Sequence, residues 1–202
     1  MVRRLVVAGT CVAAGAGAGV GAGVGCGGSD APKAPEPPRQ AETDDRPARL
    51  PDGWTRLVNR HAGFSVGIPP GWKARGARGA TLVRSGDRLL AVSITADRSS
   101  DGRVLRPANY AERMAMALPG YRKRKVGRPV PVRRAHYPGA SVTATGTFTR
   151  TRVRQAIRAV ALQRRGRVTY ALVFFRTARS PAALYRPAIT GMIRTFRARA
   201  PA

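Results

Sequence analysis

A run of alternating threonines facing arginines is the chemistry this chain displays most plainly. Thr143, Thr145, Thr147 and Thr149 share one parity of the segment 141–149, and Arg152, Arg154 and Arg158 share one parity of the segment 152–163. If Arg150-Thr151 is a two-residue turn, Thr147 lies opposite Arg154 and Thr143 opposite Arg158. Hydroxyl groups beside planar guanidinium forks suit phosphate or carboxylate. The competing account is that threonine is simply a good strand former and that a helix covers this face. A second basic element is Arg122-Lys123-Arg124-Lys125. It reads either as part of the same anion-binding surface or as a solvated edge strand, whose charges block unwanted pairing.

Other chemistry has little to work with. Hydrolysis or group transfer needs a base beside a nucleophile, paired carboxylates or a metal cage. Residues 53–202 contain two histidines, His61 and His136, and four acids, Asp87, Asp97, Asp101 and Glu112. The histidines have no metal-ligand spacing and fall in loops or turns, and no Gly-x-Ser-x-Gly elbow occurs. Asp97 and Asp101 flank Arg98-Ser99-Ser100, which supplies too few oxygens for calcium. Both cysteines, Cys11 and Cys26, precede the domain, so it forms no internal disulfide and no cysteine-based zinc site. The expectation is a protein without catalytic residues, metal or cofactor. The rival is a hydrolase built on His61 or His136.

Charge points the same way. The chain carries a net charge of +27, and no acid follows Glu112. Of the cations, 33 are arginine and only four lysine, which a GC-rich coding bias explains. That bias does not explain the missing acids, whose codons also end in G or C. A preference for anions is the remaining account: phospholipid headgroups, phosphate-bearing wall polymers or adventitious nucleic acid. Specific nucleic-acid recognition is not expected, because base-stacking aromatics are scarce and Phe174 and Phe175 read as core.

The elements that must position these residues follow from periodicity. Strands are predicted at 54–58 and 63–68, with Pro69-Pro70-Gly71-Trp72 forcing a turn. A hairpin is predicted from 81–84 and 89–95 around Ser85-Gly86-Asp87. Pro107 opens a helix with Tyr110, Met114 and Leu118 on one face, and Pro119-Gly120 ends it. Three strands follow, at 141–149, 152–163 and, after a turn at Gly166, 168–175. The last is apolar on both faces and so is covered on both sides. A closing helix opens at Ser180-Pro181, restarts at Pro187 and carries the stripe Ile189, Met192, Ile193, Phe196. This order argues for an α+β domain: a twisted antiparallel sheet with helices packed on it.

Ahead of the domain stands a leader. Arg3 and Arg4 precede an apolar run from Leu5 to Gly25, with glycine at every second position from Gly15 to Gly25, and then Cys26. This is the layout of a secretion signal, and Cys26 sits where bacterial lipoproteins are acylated. A plain cleaved signal and an uncleaved anchor are the alternatives; the glycines make a weak helix for a permanent span. Lipoproteins usually have leucine three residues before the cysteine, where this chain has Gly23. The expected organisation is a signal peptide at 1–25, a lipidated Cys26 with a proline-rich tether at 26–52, and a folded domain at 53–202. The tether has no aromatic residue and cannot bury enough apolar surface to order itself. It would act as a spacer between membrane and domain.

Gly63-Phe64-Ser65-Val66 running into Ile68-Pro69-Pro70-Gly71-Trp72, with the ending from Ile189 to Phe196-Arg197, resembles the PsbP-like superfamily. In particular it is similar to the small LpqN-type lipoproteins of high-GC Gram-positive bacteria. The resemblance spans about residues 54–198 and implies an α/β/α sandwich with two main helices. Its motifs are turns and core positions, so it implies non-enzymatic binding or assembly without transferring any site residue. Taken together, the residues predict an extracytoplasmic, membrane-anchored module that binds anionic lipid or wall polymer. The alternative is an envelope scaffold with a protein partner.

Overall fold

The computed structural model describes residues 48–77, 79–98, 105–132, 135–164 and 168–199. The leader, Cys26, most of the tether, Asp101 and the Gly166 turn lie outside the described residues. Among the described residues there are two helices and two sheets, and every strand pairing is antiparallel.

The small sheet joins β1 (Thr55–Asn59), β2 (Phe64–Ile68) and β11 (Arg197–Ala198), with β2 central. All five β2 residues are buried, as their position between two strands and under the second helix requires. The large sheet runs β3 (Lys73–Ala77), β4 (Ala80–Arg84), β5 (Leu90–Arg98), β10 (Val168–Thr177), β9 (Arg154–Arg164), β8 (Gly139–Phe148) and β6 (Tyr121–Val126), and β7 (Val130–Pro131) also pairs with β8. The predicted hairpin at β4–β5 and the three long strands are all present. The predicted double coverage of β10 is present too: six consecutive residues, Thr169 to Phe174, are buried.

Alternation along β8, β9 and β10 sorts the core into two layers. One face offers Val142, Ala144, Ile157, Ala159, Ala161 and Val173 to helix α1 (Pro107–Ala117). Tyr110, Met114 and Leu118 line the edge of this contact, while Ala111 and Ala115, which apolar periodicity overlooks, make its centre. The small side chains let the helix approach the sheet closely. The other face offers Leu162, Leu172, Phe174, Val92 and Ile94 to helix α2 (Ala182–Thr195) and to Phe64 and Val66 of the small sheet. The arrangement is the expected sandwich, a sheet with helical layers on both faces. Pro187 corrects one expectation: it lies inside a continuous α2 and does not restart it.

Asp87 ties the β4–β5 turn to α2. Its carboxylate accepts hydrogen bonds from Ser85 Oγ at 2.5 Å, from the Leu89 amide at 3.0 Å and from the hydroxyl of buried Tyr185. The Ser85 bond first, then those from Tyr185 and Leu89, hold the Asp87 carboxyl below its ordinary value of 3.8. Burial, reinforced by that carboxylate, pushes Tyr185 up to about 12. Because the folded-state value of Asp87 is the lower one, its stabilising contribution is full above the unfolded value and fades as pH falls through the folded value. The thermal stability of Asp87→Asn should therefore lie below that of the parent at neutral pH and converge on it as pH falls through the folded-state value, below 3.8. A gap that stays constant with pH would show that the carboxylate charge plays no part.

Candidate anion-binding face

The sheet brings together the residues singled out by alternation. Thr147 is paired with Arg154 and Thr143 with Arg158, the register expected from the sequence. The connecting turn is wider than two residues: β8 ends at Phe148, β9 begins at Arg154, and Arg152 adopts a left-handed backbone (φ 55°). The basic run forms β6, the edge strand of the large sheet, so the edge-strand reading holds for the backbone of Arg122, Lys123, Arg124 and Lys125. Arg122 pairs with Thr147 and Lys125 with Thr145, across a register shift between those two cations.

Three cross-strand rows result. Arg122, Thr147 and Arg154 form the first; Lys125, Thr145, Ala156 and Arg176 the second; Thr143, Arg158 and Phe174 the third. Residues in a row stand on one face, with neighbours about 5 Å apart and successive rows about 7 Å apart. A column of threonine hydroxyls is thus flanked by cations on both sides. Helix α1 occupies the opposite face, and Arg122, Lys125, Thr143 and Arg154 are exposed. Among the described residues no helix covers this part of the sheet, which answers the objection raised from sequence. At Phe174 the face passes under the α2 layer and becomes core.

Arg158 marks that boundary. It is half-buried, and desolvation lowers its pKa, as loss of hydration must for a cation. Its Nη2 lies 3.5 Å from Ser141 Oγ, at the limit of a hydrogen bond. Arg154 has a different surrounding. It also lines a cleft of about 710 Å³ with Arg152, Arg179 and Thr177, beside the exposed apolar side chains of Leu89 and Val153. Arg176 and Arg179 were not legible as part of this surface. Arg176 interrupts an apolar strand at its last turn outward, and Arg179 reaches the cleft only because β10 turns into α2 there.

The remaining candidates are dispersed. His61 lies in the β1–β2 turn, and His136 lies before Tyr137 at the end of the other face, against which its ring packs edge-on at 4.9 Å. Asp97 instead partners Tyr110, joining β5 to α1. Among the described residues no group of three His, Cys, Asp or Glu side chains is placed to hold a metal ion. No helix among them is long and apolar enough to cross a membrane.

No protein-family model and no curated protein matches this sequence. Solved structures do match its fold. The Ran-binding protein Mog1p of Saccharomyces cerevisiae, 8% identical, is matched over 72% of this chain and 95% of that one with a TM-score of 0.51. LpqN of Mycobacterium tuberculosis, described as involved in cell envelope biogenesis, is 11% identical over 73% of this chain and 91% of its own, with a TM-score of 0.49. A Bacteroides thetaiotaomicron protein is 15% identical with a TM-score of 0.49 over 72% of this chain, which spans only about half (48%) of its length. At such identities the likeness is one of fold, and the match to Mog1p bears out the expected fold. Two helices on an open, twisted antiparallel sheet that matches nearly the whole of Mog1p give this domain the Mog1/PsbP-like fold.

Proposed function

We propose that this chain is an extracytoplasmic lipoprotein, anchored through Cys26, whose domain is a non-enzymatic binding module for anionic lipid or phosphate-bearing wall polymer. The observation that carries this reading is the uncovered face of β6, β8 and β9, where threonine hydroxyls stand between two columns of cations and no strand contributes an acid. Its shape decides the kind of ligand. Arg154 and Arg158 are four residues apart on one strand, roughly 13 Å. Cations spaced in this way along a sheet fit an extended or laterally repeated anion better than one compact phosphate. Lipidation by more than one acyl chain would make the anchoring stable, and the tether would let the face reach headgroups or wall polymer.

Salt-titrated binding of the full chain to phosphatidylglycerol vesicles, phosphatidylcholine vesicles, a phosphate-bearing wall polymer and duplex DNA tests this. Partition driven by the leader is common to all variants and cancels between them. Each cation near an anionic surface is worth about 1 kcal/mol, so Arg154→Ser with Arg158→Ser should weaken retention by about 30-fold. Equal retention of every polyanion, lost together with salt and untouched by the two substitutions, would defeat the proposal. A partner captured from the envelope that survives high salt would instead favour the scaffold reading, because screened charges could not hold it.

A further inference from the structure

At the opposite edge of the large sheet, and on its other side, lies a concave basic site. Residues of β3 and β4 form it: Lys73, Arg75 and Arg84 stand around Leu82, and Arg88 of the following turn closes one end. Its volume is about 490 Å³, within the range of small-ligand sites. Leu82 points away from Val83, which is core on the α2 side, so the cleft opens on the α1 side beyond the reach of that helix. All four cations are exposed.

Two features of this cleft work against stability. Lys73 is paired directly with Arg84, and like charges directly opposite on neighbouring strands repel. Arg88 adopts a left-handed backbone (φ 61°), which a side chain with a Cβ disfavours and glycine accepts freely. The acid nearest in sequence does not relieve the repulsion. Both carboxylate oxygens of Asp87 are engaged by Ser85, Leu89 and Tyr185, which turns it toward α2. Unfavourable charge and unfavourable backbone at one cleft point to a ligand that neutralises the first and exploits the second.

We infer that this cleft binds a diphosphate group. Three arginines and a lysine around one concavity can fork onto the oxygens of two linked phosphates, whereas a single phosphate would leave part of the charge unpaired. Leu82 and the aliphatic stems of the arginines give a floor along which an apolar substituent can lie. The shared chemistry is the diphosphate, either free or as the headgroup of a prenyl chain. The site is independent of the Thr/Arg face, which lies across the sheet.

Thermal unfolding of the full chain with inorganic pyrophosphate, farnesyl diphosphate in neutral detergent, or orthophosphate tests the inference at fixed ionic strength. A diphosphate at about a hundredfold excess over its Kd should raise Tm by about 5–10 °C. Orthophosphate at the same concentration should raise it much less. Arg84→Thr should raise the ligand-free Tm by about 1–3 °C, by relieving the repulsion, and remove the response to diphosphate. Arg154→Ser should leave that response intact. A farnesyl diphosphate response at about tenfold lower concentration than pyrophosphate assigns the headgroup of a lipid; equal responses assign the soluble ion. A response that Arg84→Thr leaves unchanged, or that orthophosphate matches, would overturn the inference. Arg88→Gly is the second variant, expected to weaken the response while relaxing the turn.

Discussion

Phe196→Ala is expected to destabilise the domain by about 3–5 kcal/mol, the range for truncating a buried aromatic ring. The ring is fully buried and stacks on Phe64 at 5.7 Å, with Tyr170 at 5.1 Å and Tyr137 at 6.4 Å. Three aromatic neighbours from β2, from β10 and from the turn before β8 converge on it, so truncation leaves a cavity that no single side chain can fill. Its backbone position compounds the loss. Phe196 follows the last residue of α2 and precedes β11, whose Arg197 and Ala198 pair with Ser65 and Phe64. The residue thus joins the helix, the small sheet and the large sheet. Domains of this size have a total stability of about 5–15 kcal/mol, so the variant would lose a large part of it. Denaturant titration should show a lower midpoint, with Phe196→Leu losing clearly less because most of the volume is kept. Leu184→Ala, at a side chain that is 64% exposed, should change stability by no more than about 0.5 kcal/mol. A loss below about 1 kcal/mol for Phe196→Ala would contradict the aromatic cluster described above.

That cluster also shows why some of the fold was legible and some was not. Ile189, Met192, Ile193 and Phe196 announce a buried helical face by spacing alone, and β10 announces its double coverage by being apolar on both faces. Such signals are local and periodic. β3 gave none: Lys73-Ala74-Arg75-Gly76-Ala77 has no apolar alternation, because its outer face is the basic cleft and its position is an edge. β11 is two residues long and exists only because β2 is there to pair with it. Pro187 misled for a related reason. Pro187 lies past the first turn of α2, so it removes the bond that an amide there would give to the Ala183 carbonyl, and packing of Tyr185, Met192 and Ile193 carries the helix through that loss. The Thr/Arg face was readable because two-residue alternation and a short turn fix register together. Its extension by Arg122, Lys125 and Arg176 was not, since it depends on which strands become neighbours, a property of topology rather than of any one segment.

Reversing charge in the first row of that face should have the largest effect on binding. Arg122→Glu with Arg154→Glu changes the local charge by four units on either side of Thr147, without touching the half-buried Arg158. Both positions are exposed on strands, so the fold loses little: substitutions of this kind shift stability by about 0.5 kcal/mol. At about 1 kcal/mol per unit charge near an anionic surface, the double reversal should weaken retention on phosphatidylglycerol vesicles by about a thousandfold. The effect should shrink as salt rises, because the interaction reversed is a screened one between exposed charges. Its asymmetry across the molecule is the informative part. The same two-charge reversal at Lys73 and Arg84, on the other side of the sheet, alters net charge equally while leaving the Thr/Arg face intact. If retention followed net charge alone, the two double variants would bind alike, and the arginines of β9 would be only one part of a uniformly basic surface. A loss concentrated in the Arg122 and Arg154 pair would assign the contact to this face. It would also set the domain's orientation at the membrane: β6, β8 and β9 toward the anion, with α1 directed away.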